Sequence, residues 1–76
     1  SKEVRLSVIK SAAKCDRDDL LPQMRHQITQ LQFDEQEACA YALGQLKDEQ
    51  AIPKLEKLTL SQYPTVALAA HFALYQ

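Results

Sequence analysis

Glycine, cysteine and charge of one sign are all scarce in this 76-residue chain. It has one glycine, three prolines, two cysteines and no tryptophan, and nine Lys and Arg stand against ten Asp and Glu for a net charge of −1. A single glycine argues against a glycine-rich phosphate loop, and two cysteines are too few for a disulfide-stapled mini-domain. The small net charge does not predict a polyanionic partner such as nucleic acid.

The apolar content, in contrast, is that of a folded domain. Hydrophobic residues make up 46% of the chain and charged residues 25%, which excludes a highly charged disordered tail and a collagen-like segment. Residues 58–76 carry no formal charge, but a membrane span needs about 20 mostly apolar residues, and Gln62, Pro64 and His71 interrupt this stretch. We therefore expect one domain, residues 1–76, and a cytoplasmic location without membrane contact.

The chain repeats with a period of 31 residues. Pro22 and Pro53 follow similar apolar pairs 31 positions apart, and most other positions superpose small or apolar residues under this shift. Val8, for example, falls on Cys39 and Ala70. Apolar residues recur at helical spacing within each period, and a polar turn separates two such runs. Each period is therefore predicted to be a hairpin with an A helix, a tight turn and a B helix. The predicted helices are 2–15, 19–32, 35–47, 50–61 and 64–75.

The same spacing predicts which side chains form the core. In the first A helix the predicted core residues are Val4, Val8, Ser11, Ala12 and Cys15, and in the first B helix they are Leu21, Met24, Ile28 and Leu31. We expect Cys15 and Cys39 to be buried, reduced and unreactive. Because proline lacks an N–H group, Pro22 must lie in the first turn of its helix, which makes Asp19 the predicted cap.

Residues 37–55, EACAYALGQLKDEQAIPKL, resemble a HEAT-like repeat of the short kind found in phycobilisome-lyase-type proteins. The matching residues are Ala38, Ala42, Leu43, Gly44, Leu46, Asp48, Ala51, Ile52, Pro53 and Leu55. Val4-Arg5 and residues 66–74 match two further A helices, whereas Glu35 replaces the Val of the family pattern.

This resemblance implies an all-α, right-handed α-α superhelix whose B helices line the concave side. The chain would comprise about two and a half repeats, namely residues 1–32, 33–62 and a half-repeat 63–76. Because the last A helix lacks its B helix, we expect a fragment of a longer array or a subunit that a partner completes.

The sequence contains no motif of an autonomous active site. It has no HExxH, CxxC, GxSxG or Gly-rich phosphate loop, and His26 and His71 are not followed by the Glu of the di-iron HEAT-type hydroxylases. Cys15 and the acidic residues of 16–19 could be imagined as a metal site, but a capped acidic turn is the favoured explanation, because the turn 47–50 is also acidic. We predict no catalytic residues, no cofactor and no metal.

Two surfaces are candidates for binding. A polar, mildly basic strip on the concave side of the B helices would fit an acidic peptide or protein surface, and its members are Gln23, His26, Gln30, Lys54, Lys57 and Ser61. On the last helix Leu68, Phe72 and Tyr75 lie opposite the core positions and form a candidate self-association or partner stripe. The alternatives are an ordinary solvated face for the strip and a covering chain segment for the stripe.

These surfaces predict a protein–protein interaction or scaffold module that binds another protein or a second copy of itself. An alternative, implied by the resemblance alone, is an accessory segment of a phycobilin-lyase- or chaperone-type enzyme. Nucleic-acid binding is not favoured, because Lys54, Lys57 and Arg25 are too few to neutralise six or more phosphates. Arg25 and Glu56 superpose under the 31-residue shift, which predicts an ion pair between the hairpins.

Overall fold

The computed structural model describes residues 2–75, and this part of the chain is helical without a strand. Its α-helices are α1 (Lys2–Lys14), α2 (Leu21–Gln27), α3 (Phe33–Gln45), α4 (Ile52–Leu58) and α5 (Pro64–Leu74). Short 3-10 helices at Asp18–Leu20 and Glu49–Ala51 lead into α2 and α4, and a third, Ile28–Gln30, follows α2. The all-α fold with five helices confirms the prediction. Ser1 and Gln76, which the predicted domain includes, lie outside the described residues.

The helices stack as hairpins, and α3 lies in the middle of the stack. It packs against α1 on one side and α5 on the other, while α2 contacts α3 and α4 contacts α5. The core therefore centres on α3, where Ala40 and Leu43 are fully buried. The predicted core residues Met24 of α2 and Ile28 of the following 3-10 helix are buried with them. The small side chain of Ala40 allows the neighbouring helices to approach closely.

The turns that follow α1 and α3, which we call the hairpin corners, have the same backbone geometry. They contain Asp16 with a φ of 52° and Lys47 with a φ of 54°, exactly one repeat period of the sequence apart. In each corner the next amide, of Arg17 or Asp48, donates to the carbonyl five residues earlier at 2.9 or 3.1 Å. This bond is typical of a helix that ends in a left-handed residue. The 31-residue period is therefore a repeat of structure as well as of sequence.

The prolines occupy equivalent positions, but the predicted cap is wrong. Pro22 and Pro53 lie in the first two positions of α2 and α4, where a missing N–H costs nothing. Asp19 does not cap α2. It lies inside the 3-10 helix that precedes α2, and it accepts two hydrogen bonds from Arg17 at 3.0 and 2.9 Å. This hydrogen bonding lowers the pKa of the Asp19 carboxyl group.

The predicted core face of α1 is right at Ala12 and wrong at its other members. Ala12 is buried together with Ile9. The exposed members are Val4, Val8, Ser11 and Cys15. The repeat gives the reason, because Val8 superposes on Cys39, which α2 of the preceding hairpin covers, whereas no hairpin among residues 2–75 covers Val8 in the same way. The apolar periodicity thus identified the face between hairpins rather than the interior of one hairpin.

An ion pair between the half-exposed Arg5 and the buried Glu35 joins α1 to α3. Glu35 is only 1% exposed, and its two carboxylate oxygens accept hydrogen bonds from Arg5 Nε at 3.1 Å and Nη2 at 2.9 Å. The paired geometry explains how a carboxylate can replace the Val of the family pattern in the core. It also raises the pKa of Arg5.

On the opposite side of α3, two aromatic contacts connect it to α5 and to the residue that precedes α5. Phe33, the first residue of α3, stacks on Tyr63, which precedes α5, with 4.9 Å between ring centroids. Further along, Tyr41 of α3 meets Phe72 of α5 edge-on at 5.0 Å. Both flanks of α3 share the apolar core, and they differ in the ionic or aromatic contact that is added to it.

The two thiols differ in environment, which makes the predicted burial right for Cys39 and wrong for Cys15. Both are free, but Cys15 is exposed whereas Cys39 is buried and donates its S–H to the main-chain oxygen of Met24 at 3.6 Å. Burial raises the pKa of Cys39 to about 12. Since the thiolate is the reactive form, Cys39 is inert in the folded chain.

The Arg5–Glu35 pair can be tested by a pair of substitutions. Arg5→Met leaves the Glu35 carboxylate buried without its bidentate partner, so we expect a lower unfolding temperature at pH 7. Adding Glu35→Val to Arg5→Met removes the buried charge and restores most of that loss. Thermal unfolding followed by circular dichroism measures both changes, and a double variant no more stable than Arg5→Met contradicts the assignment.

The thiol assignment predicts selective alkylation. At pH 8 iodoacetamide should modify Cys15 in the folded chain and leave Cys39 unmodified, because the latter is both covered and protonated. In denaturant both should react. Peptide mass spectrometry measures the sites, and equal rates at both cysteines in the folded chain would show that Cys39 is not protected.

Candidate functional site

The polar strip predicted on the B helices is only partly available for binding. Its exposed members are Gln23, His26, Gln30 and Lys57, and Lys54 and Ser61 are half-buried. Lys54 Nζ donates to the main-chain oxygen of Arg25 at 2.7 Å, so it links α4 to α2. Ser61 Oγ accepts a hydrogen bond from the amide of Tyr63 at 3.1 Å. Both half-buried members therefore already have structural partners.

Arg25 links the two hairpins, but not through the predicted residue. Its Nε atom forms an ion pair with Oδ2 of Asp48, and its Nη1 donates to Oε1 of Gln50 at 2.8 Å. Glu56, the predicted partner, is exposed. The prediction is wrong because α2 packs beside the turn that precedes α4, so Arg25 meets that turn and not the superposed position of α4.

The apolar stripe of α5 is on the surface. Leu68 is 64% exposed, Tyr75 is 84% exposed, and Phe72 is 39% exposed because its ring rests against Tyr41. The opposite side of the helix is buried through Val66, Ala69, Ala70 and Ala73. Large apolar side chains therefore face solvent on a helix whose other face is already packed.

Sequence reasoning misses a third surface, on the uncovered side of the first hairpin. Val8, Leu20 and Gln23 line a groove of about 220 Å³ there, together with Arg5 and Met24. We call this surface the α1 face. The signal that could have found it is the superposition of Val8 on Cys39 and Ala70, because both of those residues are covered by another hairpin.

The described residues hold no metal centre. Within residues 2–75 no three His, Cys, Asp or Glu side chains come together as metal ligands would. Cys15 and the acidic residues of 16–19 instead form a hairpin corner, in which Arg17 pairs with Asp19. Over the same range no helix is both long enough and apolar enough to cross a membrane. The cytoplasmic location stays a prediction.

The stacked hairpins with repeated corners define an α-solenoid protein. A family model described as HEAT repeats matches residues 1–74, and the chain therefore belongs to the HEAT-repeat family. No curated protein and no solved structure gives a significant match. HEAT repeats commonly serve as scaffolds for protein interaction and are typically not enzymes. The narrower likeness to phycobilisome-lyase-type repeats stays a prediction.

The two lysines of the strip are predicted to differ in their effect on stability. Lys54→Met removes the donor to the Arg25 carbonyl and should lower the free energy of unfolding by about 1 kcal/mol. The matched variant Lys57→Met, at an exposed position of the same helix, should change it by less than about 0.5 kcal/mol. Urea denaturation compares the two, and equal losses would show that the bond from Lys54 does not stabilise the fold.

Proposed function

We propose that this chain is a protein-interaction scaffold that binds another protein through the apolar stripe of α5, with the polar strip of the B helices as a second contact. Membership of the HEAT-repeat family supports the general role. The observation that carries the proposal is the exposure of Leu68 and Phe72 on α5 and of Tyr75, which directly follows the helix.

The stripe has the energetic character of a binding surface. Complete burial of a large apolar side chain is worth about 1.5–3 kcal/mol, so covering Leu68 and Tyr75 would supply substantial free energy of association. Phe72 is held by the Tyr41 ring, which limits the side-chain entropy lost on binding. Tyr75 also brings a hydroxyl group, which suits an interface that is apolar at its centre and wet at its rim.

The polar strip suits an acidic partner surface. Lys57 and His26 are exposed, and Gln23 and Gln30 add uncharged donors and acceptors. Lys54 adds positive potential, although its ammonium group already binds a main-chain oxygen. Charge complementarity of this kind contributes mainly to the rate of association and to specificity.

The other functions considered from the sequence have less support. Arg25 is paired with Asp48 and Lys54 is bonded to α2, so few cations of the strip remain for a phosphate backbone. The accessory role in a phycobilin-lyase- or chaperone-type enzyme has the resemblance as its basis and no observed arrangement of side chains. We therefore keep the scaffold role, and we treat residues 1–76 as one module of repeats 1–32, 33–62 and 63–76.

A charge placed in the stripe tests the proposal. Leu68→Glu is preferable to a change of Phe72, because Leu68 is more exposed and its replacement should leave the fold intact. Ser7→Glu, at an exposed position of α1, adds the same charge elsewhere. We expect Leu68→Glu to weaken binding to a protein recovered by affinity capture at least about tenfold, which corresponds to roughly 1.4 kcal/mol, and Ser7→Glu to leave it unchanged.

Two measurements separate the outcomes of this experiment. Light scattering over a concentration series shows whether the bound protein is a second copy, in which case Leu68→Glu should reduce the mass to that of one chain. Calorimetry with the purified protein measures the dissociation constant for each variant. Equal binding by wild type and Leu68→Glu, together with an unchanged mass, would reject the stripe as the contact surface.

A further inference from the structure

We propose that a groove between α1 and α3 binds an extended acidic segment of a partner protein, in which two carboxylates flank one apolar residue. We call this groove the outer groove. The proposal rests on the scaffold function proposed above. It adds a surface separate from the stripe, and it states the chemistry of the segment that this surface accepts.

The outer groove has short apolar side chains at its floor and longer polar ones on its walls. Its volume is about 350 Å³, and its lining comes only from α1 and α3. The floor consists of Ala13, Ala38 and Ala42, the wall on α1 of Lys10 and Lys14, and the wall on α3 of Tyr41 and Gln45. None of these residues lines the α1 face.

The two walls lie side by side in register. Arg5, near the start of α1, pairs with Glu35, near the start of α3, and later residues of both helices line the groove together. The helices therefore run in the same direction, and the 31-residue shift shows which side chains are opposite one another. The resulting pairs across the groove are Lys10 with Tyr41 and Lys14 with Gln45.

The charge in the outer groove is of one sign. Lys10 and Lys14 are exposed, and within the described part of the chain neither ammonium group forms an ion pair. Over the same residues no acidic side chain lines the groove. Glu37 and Asp16, the acidic residues closest in sequence to the lining, lie outside it. Charge complementarity therefore favours an anionic ligand.

The spacing of the two lysines fits alternate side chains of an extended segment. Lys10 and Lys14 are four residues apart, which separates them by about 6 Å along α1. Two side chains on the same side of an extended segment are about 6.6 Å apart, so two carboxylates can each meet one ammonium group. The residue between them points to the opposite wall, where Tyr41 offers an aromatic ring. The expected sequence is therefore acidic, apolar, acidic.

The dimensions of the groove favour an extended segment over a helix. From Ala38 to Gln45 α3 rises by about 10 Å, which is the length of about three extended residues. A helix is about 10–12 Å across, whereas the axes of two packed helices are about 8–10 Å apart, so a third helix would not reach the alanine floor. The Tyr41 wall is ordered, because Phe72 holds its ring edge-on at 5.0 Å.

A nucleic acid is the other anionic polymer to which the groove could bind. Two lysines neutralise few phosphates, and the alanine floor offers an apolar contact that a phosphate backbone does not use. The lining therefore fits a protein segment better than a nucleic acid.

Short peptides test the proposal. The probe is a peptide with the central sequence Glu-Phe-Glu, and its matched control, Phe-Glu-Glu, has the same composition but adjacent carboxylates. Each is titrated to about 10 mM into the isotope-labelled chain, and the NMR shifts are followed. We expect Glu-Phe-Glu to shift the amides of Lys10, Tyr41 and Gln45 and to bind at least about threefold more tightly than the control.

Removal of charge from the chain provides a second comparison. Lys10→Gln combined with Lys14→Gln keeps two long side chains but removes both ammonium groups, so we expect it to abolish the preference for Glu-Phe-Glu. The unfolding temperature should stay nearly unchanged, because both positions are exposed. Lys47→Gln combined with Lys57→Gln removes the same charge from exposed positions outside the groove, and it should leave the preference intact.

The outcomes distinguish this proposal from the scaffold function of the stripe. Peptide shifts that persist in Leu68→Glu support the outer groove as a separate site, whatever happens to binding through the stripe. The proposal is overturned if the groove amides do not shift or if Phe-Glu-Glu binds as tightly as Glu-Phe-Glu. It is also overturned if an oligothymidylate of about twelve nucleotides binds the groove more tightly than the peptide, which would assign the groove to nucleic acid.

Discussion

The whole stack depends on α3 being covered from two sides at once. Its small buried residues Ala40, Ala42 and Gly44 add little bulk, so α1 and α5 can both lie close to its backbone. A larger side chain at these positions would force a neighbour away, since close-packed cores do not absorb added volume. Because a single hairpin cannot bury both of its apolar faces, the hairpins share this central helix.

The architecture could be predicted from the sequence because its determinants are local. Helical spacing, the proline positions and the polar corners each act over a few residues, and a 31-residue shift suffices to align them. Which element covers an apolar face, in contrast, is not determined by residues that are close in the sequence. Val8 and Cys39 have the same place in the pattern, yet Cys39 is buried and Val8 is exposed, because periodicity shows that a face is apolar and does not show what covers it.

For the candidate sites, the exposure of side chains was predictable from the sequence and their ionic contacts were not. Leu68, Phe72 and Tyr75 are on the surface because the helical period separates them from Val66 and Ala70 of the core. The ionic contacts were not predictable, because they depend on how far one hairpin slides along the next. Arg25 reaches Asp48, which is 23 positions ahead in the chain, and no shift by whole repeats brings these two residues together.

One flank of α3 has an ionic contact and the other has aromatic contacts, so a change in salt concentration affects the two flanks differently. The Arg5–Glu35 junction is ionic, and half of the Arg5 side chain is open to water, so dissolved ions weaken it. The aromatic pairs on the α5 flank carry no charge, and added electrolyte does not screen them. Added salt therefore weakens the ionic contact between α1 and α3 more than it weakens the aromatic contacts between α3 and the α5 flank.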